Sequence, residues 1–311
     1  MEQSARAAQS SIDFNRARIK ALLWQALRFM YRRDKDALLS FNEVKALLKP
    51  KRQVYLGMQA VPLTHIVGSE GRCRDFNRHF FPRSEFLRSR WERVDQARLE
   101  DIPLPPVALY EIGGVYFVRD GNHRVSVARS QGIEMIDAEV VSLSSEIAVS
   151  PSMTASDLRR AVIRHEKRRF YEESSFGALT GDYGLDFSAP GRYEMIYRHI
   201  LTHKYYINQR LPQEIPFSDG LFSWYGEVYT PSIEVIRAEL LTSAFPGSTE
   251  SDLYLRLADH WDLLKRRTGG ARCSLPAAAR DFAYPAAAAS SSAPRKAPVF
   301  NQKPDPSGDV R

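Results

Sequence analysis

Asp120, Gly121, Asn122, His123 and Arg124 stand side by side between two apolar stretches, "VYFV" before them and "VSVA" just after. Where a strand runs into a helix at such a point, the first backbone N–H groups of the helix have no acceptor inside it. They face the turn together with the positive end of the helix dipole, and an anion placed there is stabilised. Gly121 permits close backbone approach. Arg124 offers a planar fork of donors that matches phosphate oxygens, and His123 a further donor. Asp120 is the lone acid of the five: it can hold a divalent cation or take a proton from an attacking hydroxyl. The plainer alternative is that Asp120 caps the helix and Arg124 makes a salt bridge. Five consecutive polar or glycine residues between two apolar elements favour the functional reading.

The elements that must position this turn follow from patterning. "PPVALYEIGGVYFVRD" reads as two strands joined by Gly113 and Gly114, a pair suited to the mirror-image turns that hairpins need. A helix is expected from about Asn122 to Ser130, ended by Gly132, and then a strand, "MIDAEVVSL". Upstream, "QAVPLTHIV" reads as a short strand and "PRSEFLRSRWERVDQARL" as a polar helical region. Strand, helix, hairpin, helix, strand is the order of a small α/β domain, placed at residues 53–150.

Residues 1–52 form a basic helical extension. Ile19, Leu22, Leu23, Ala26, Leu27 and Met30 recur at helical spacing and predict its apolar face, leaving Arg16, Lys20, Arg28 and Arg32 on the remaining surface. Ser40 with Glu43 three residues on announces a second short helix, stopped by Pro50. Residues 151–270 read as mostly helical, with a basic amphipathic helix after Thr154 and Asp157, a stripe of Tyr193, Ile196, Tyr197, Ile200 and Leu201, and further helices from near Pro231 and Ser248. His199 and His203 are four apart but lack the Glu of a metalloprotease helix. From 271 to 311, alanine, serine and proline without apolar periodicity predict a disordered tail.

The chain has 311 residues, 43% of them hydrophobic, enough to fill a core. Its net charge of +7 is uneven: residues 1–52 carry +7, residues 53–270 carry −3, and residues 271–311 carry +3. A basic arm is an electrostatic footprint for nucleic acid or for another anionic surface, and basic helix faces also serve solubility. Cys73 and Cys273 lie too far apart in sequence for a CxxC pair, so no disulfide framework or cysteine zinc site is expected. No apolar run is long enough for a bilayer and the N-terminus lacks a signal-peptide pattern, so a cytoplasmic protein without a membrane partner is expected.

The run from "VPLTHIV" through "IPLPPVALYEIGGVYFVRDGNHRVSVARSQGIEMIDAEVV" resembles the ParB/sulfiredoxin-type domain over about residues 58–143. The implied fold class is α+β: a small ParB/sulfiredoxin-like α/β domain, an N-terminal helical extension and a mostly α-helical C-terminal region. The resemblance implies a bacterial nucleotide- or phosphate-binding protein, with Gly121, Asn122, His123 and Arg124 on the phosphates. Sulfiredoxin's cysteine is replaced by Asn122, so sulfinic acid reduction is not expected. The motif Asp-Gly-x-His-Arg is similar to that of the free serine kinases of this fold, which pair the Asp, here Asp120, with a Glu after the first strand, for which Glu70 has the right spacing. That implies a phosphotransferase or nucleotide hydrolase using Mg2+, held in part by Asp120, with ATP, ADP or CTP. The alternative is a ParB-like DNA-binding transcriptional regulator with Arg16, Lys20, Arg28 and Arg32 on DNA; a third is a non-catalytic nucleotide-binding adaptor.

Overall fold

The computed structural model describes residues 2–27, 37–267 and 274–283. The chain divides into two compact units, one built from residues up to Ser175 plus 189–194, the other from Phe176–Ser188 and Met195 onward. Together they are mixed α+β, with a six-stranded mixed sheet in the first unit and helices in the second.

The sheet strands are β1 (Leu39–Ser40), β2 (Gln53–Pro62), β3 (Ile66–Ser69), β4 (Val107–Ile112), β5 (Val115–Asp120) and β6 (Met135–Leu143). They lie in the order β1-β3-β5-β4-β6-β2. β1, β3 and β5 are mutually parallel, β4 runs antiparallel to β5 and parallel to β6, and β2 closes the far edge antiparallel to β6. The β4–β5 turn uses Gly113 and Gly114 at φ 64° and 93°, the left-handed backbone such a tight hairpin requires. The helices of this unit are α1 (Glu2–Leu27), α2 (Phe41–Leu48), α3 (Arg88–Leu99), α4 (Asn122–Ser130) and α5 (Ala155–Ser174).

Alternation along the strands sends side chains to two cores. On one face Ile66, Leu109 and Val118 pack with Val125 and Ala128 of α4. On the other, Val67, Ile112 and Phe117 pack with Phe41 and Val44 of α2 and Leu158 of α5. Both helices on the second face begin with side-chain caps: Ser40 for α2, and a full Thr154–Asp157 capping box for α5.

Two expectations are corrected. The apolar run at 59–67 is not one strand: β2 ends at Pro62, a 3-10 turn spans Leu63–His65, and β3 starts at Ile66 in another part of the sheet. Pro62 has no N–H to continue a ladder, so the chain leaves the edge there. α1 also packs through a different face. Ser10, Phe14, Ala17 and Ala21 are buried, whereas Ile19, Leu22, Leu23 and Ala26 are exposed. The reason lies in the partner helix: Trp91 of α3 is fully buried with its ring edge-on to Phe14, centroids 5.6 Å apart, and only small residues such as Ala17 fit beside it. Leu27's side chain and Met30, also assigned to that face, lie outside the described residues, as do Arg28 and Arg32 and most of the 271–311 tail.

The second unit contains α6 (Phe176–Thr180), α7 (Arg192–Asn208, from Met195 on), α8 (Phe217–Trp224), a π-helical segment (Tyr225–Tyr229), α9 (Thr230–Ala238), α10 (Leu241–Ala244), α11 (Glu250–Arg267) and α12 (Leu275–Ala283). Ile196 and Ile200 of the predicted stripe are buried here, while Tyr197 and Leu201 are exposed. His199 Nδ1 lies 2.9 Å from the Tyr254 hydroxyl and His203 Nε2 2.9 Å from Ser223 Oγ, so both histidines serve hydrogen bonds within the helical packing. Among the described residues no helix is long and apolar enough to cross a membrane.

Candidate functional site

β3 and β5 are parallel neighbours, with Ser69 opposite Val118, and the Glu70 N–H donates to the Val118 carbonyl at 3.0 Å. Glu70 is therefore the first residue past β3 and Asp120 the last of β5, at the same carboxyl edge of the sheet. Ligands of sheets with parallel strands bind outside that edge. Gly121 then turns the chain into α4 at φ 99° and ψ 23°. A Cβ at Gly121 would lie 2.7 Å from Val107 Cγ1 and 3.0 Å from Arg124 Nε, so glycine is required by both conformation and space.

The start of α4 carries no side-chain cap. Its first helical hydrogen bond runs from the Val125 N–H to the Gly121 carbonyl at 3.0 Å, which leaves the N–H groups of residues 122–124 without helical acceptors. α4 is held from behind by Trp91, whose Nε1 donates to Ser126 Oγ at 2.9 Å, and by Arg129, whose guanidinium donates to the carbonyls of Leu63 and Ile66. Burial, then the nearby Arg78 charge, pulls Arg129 down to about 10.

In front of α4 lies a cleft of about 440 Å³. Glu70 and Arg72 enter it from the segment after β3, Arg90 from α3, and Arg119 through Arg124 from the turn itself. Arg124 is already engaged: it donates to Asp120 Oδ2 at 2.5 Å, to the Pro106 carbonyl at 2.7 Å and to the Pro105 carbonyl. Of the two structural roles in the plainer alternative, the salt bridge is present and the cap is not. Arg72 pairs with Asp75 at 2.9 Å and Arg119 lies over the Tyr110 ring, 5.8 Å from its centroid. Arg90 is exposed and has no ion pair among the described residues, and Glu70 likewise has none.

Two buried polar atoms at the helix start, Asn122 Oδ1 and His123 Nδ1, have no hydrogen-bond partner. Buried polar groups are nearly always satisfied, so each exception calls for an explanation. Asn77 Nδ2, Asp95 Oδ2 and Arg129 Nε also lack partners but do not line this cleft, whereas Asn122 and His123 do. Burial lowers His123 to about 4, helped by the positive fields of Arg90 and Arg72 and opposed by Asp75. His123 is thus a neutral imidazole at pH 7, able to donate from one ring nitrogen only. The sign of its linkage follows. As pH falls below its ordinary value of 6.5, the unfolded chain takes up a proton that folded His123 refuses, so stability drains away down to about pH 4 and is flat below it. Histidine NMR should show no His123 titration between about pH 5 and 8 in the free protein, and an upward shift of its midpoint once an anion offsets Arg90 and Arg72. A midpoint near 6.5 without ligand would rule out this environment.

The structure therefore brings Glu70 and Asp120–Arg124 to one cleft. Arg72, Arg90 and Arg119 join them, although the motif does not include them; the visible signal for Arg72 and Arg90 is the arginine excess of "GRCRD" and "RSRWERVDQARL", and Arg119 stands directly before the motif in "VYFVRD". Arg16 and Lys20 do not line the cleft. They are exposed on α1, Arg16 3.6 Å from Asp13 and Lys20 over Phe81 at 5.5 Å. Among the described residues no three or more His, Cys, Asp or Glu side chains gather as a metal site, so a cation here would depend on ligand oxygens beside Asp120 and Glu70. No family model, curated protein or solved structure matches the chain.

Proposed function

We propose that this is a ParB/sulfiredoxin-like nucleotide-binding protein whose first unit holds a polyphosphate chain in the cleft at the ends of β3 and β5. The observation that carries the reading is the convergence of Glu70, Asp120 and the uncapped start of α4 on one cleft edged by arginines. The free N–H groups and Arg90 supply donors to phosphate oxygens, and His123 Nδ1, which lacks a partner, can donate to another. Magnesium, which such phosphates bring with them, would be held by Asp120 or Glu70 and would neutralise charge on the phosphates.

The chemistry this supports is phosphoryl transfer to a hydroxyl or to water. The acceptor oxygen forms a bond to the terminal phosphorus, the bond from that phosphorus to the bridging oxygen breaks, and the acceptor proton passes to a carboxylate. Asp120 is already paired with Arg124, so Glu70, without a cationic partner among the described residues, is the better proton acceptor. Asp120 then fixes Arg124 and the Pro105–Pro106 segment. Calorimetric titration with tripolyphosphate, ATP, ADP and CTP plus magnesium tests the reading. Wild type should bind, and Arg90→Ala should weaken binding by about tenfold or more, the scale of one charge-assisted hydrogen bond. No heat with any of the four would remove the proposal.

A further inference from the structure

α1 meets the rest of the first unit on three of its sides. Ser10, Phe14, Ala17 and Ala21 are buried beneath it. On one flank the Arg88 guanidinium donates to Ser11 Oγ at 3.2 Å and to Asn15 Oδ1 at 2.6 Å, and Arg18 pairs with Glu85 at 2.7 Å. On the other flank Lys20 lies 5.5 Å from the centre of the Phe81 ring, and Trp24 stacks on His79 with centroids 4.4 Å apart. The fourth side follows from the helical period: Ile12, Arg16, Ile19 and Leu23 lie opposite the buried residues and form a crest. All four are exposed, Ile19 by 56% and Leu23 by 59%. Leu22, one turn beyond Arg18, is exposed at the shoulder, and Phe86, the neighbour of Glu85, is 88% exposed.

We propose that this crest docks α1 along an anionic lipid surface. Two observations choose that occupant. The first is apolar area: Ile12, Ile19, Leu22 and Leu23 gain nothing by facing water or the phosphates of a nucleic acid, whereas they can enter the boundary between lipid headgroups and acyl chains. The second is charge. Residues 1–52 carry +7 and residues 53–270 carry −3, so positive charge is gathered in the segment that bears the crest. Arg16 and Lys20 stand exposed among the apolar residues, and Arg16 alone of the two has an ion pair among the described residues, with Asp13 at 3.6 Å. A second copy related by a two-fold axis would set these cations against themselves, whereas negative headgroups attract them. Trp24, half exposed beside the crest, is a residue type that favours the headgroup level. Such docking needs no spanning helix, so the lack of a bilayer-length apolar run, on which the expectation of no membrane partner rests, does not bear on it.

The test is co-flotation of the full chain with vesicles of phosphatidylcholine alone and of phosphatidylcholine mixed with phosphatidylglycerol. Wild type should bind the mixed vesicles about tenfold or more tighter than the neutral ones, and lose that preference as salt rises. Ile19→Gln combined with Leu23→Gln should weaken binding by about tenfold or more. Both positions are exposed and glutamine is a good helix former, so α1 is retained. Arg16→Gln combined with Lys20→Gln should abolish the preference for mixed vesicles. Phe222→Gln, which removes a comparably exposed ring from the second unit, should leave binding unchanged. Absence of wild-type binding to mixed vesicles, equal binding to both kinds, or binding that survives Ile19→Gln with Leu23→Gln would overturn the proposal. So would a dimer in sedimentation that the same double variant dissolves, because a second copy would then cover the crest.

Discussion

Trp91→Ala should cost the first unit about 3–5 kcal/mol, the range found when a large buried aromatic is truncated. Trp91 is fully buried where α1, α3 and α4 meet, with Phe14 and Ala17 on one side and Val127 on the other. Truncation opens a cavity in that junction. It also strands the Ser126 hydroxyl, itself fully buried, which now accepts from the indole N–H at 2.9 Å. Trp91→Phe keeps most of the volume and loses only the hydrogen bond, so its cost should be a fraction of the first. Urea denaturation followed by amide exchange on β5 and α4 reads the first unit separately from the second. An alanine variant within about 1 kcal/mol of wild type would mean that these three helices do not share the core described.

Gly121→Ala should have the larger effect on binding. Two penalties act together there. An alanine at φ 99° sits in a region that costs of order 1–3 kcal/mol for a residue with a side chain. Its methyl would also meet Val107 Cγ1 at 2.7 Å and the Arg124 guanidinium at 3.0–3.1 Å. The guanidinium is the movable partner, so the substitution should push it off Asp120 and the Pro105 and Pro106 carbonyls and loosen the cleft along the wall that Arg124 and Pro105 form. Gly114→Ala is the control: its φ is 93°, but nothing lies within 4 Å of the added carbon, so it carries the backbone cost alone. Tripolyphosphate titration should show binding fall by about tenfold or more for Gly121→Ala and stay unchanged for Gly114→Ala. Equal behaviour of the two variants would mean that the crowding at Val107 and Arg124 has no part in the site.

Local signals made much of the first unit legible in the sequence. The Gly113–Gly114 hairpin, α4 at Asn122–Ser130, β6 at Met135–Leu143 and the caps at Ser40 and Thr154 each depend on residues within a few positions of one another. Features set by distant partners were not legible. α1 shows an apolar stripe through Ile19 and Leu23, yet the helix buries Phe14 and Ala17 because Trp91 waits there, and nothing in α1 announces Trp91. β1 is only two residues long and exists through its pairing with β3. The same division runs through the site. Asp120–Arg124 form one continuous motif, and Glu70 could be placed by its distance from the first strand. Arg90 reaches the cleft only because α3 packs on α4.

The pairing of β2 with β6 also fixes the order of events as the chain leaves the ribosome. Gln53 pairs with Leu143 and Pro62 with Met135, so β2 has no strand to lie against until residues beyond 135 have been made. The β4–β5 hairpin, closed by its own glycines, can form long before that. For the interval between, an uncharged ten-residue strand with Val54, Leu56 and Met58 remains unpaired, the kind of segment that other chains capture. Newly made chains are therefore most exposed to misassembly while β2 waits for β6, a vulnerability set by chain order and invisible in the finished sheet.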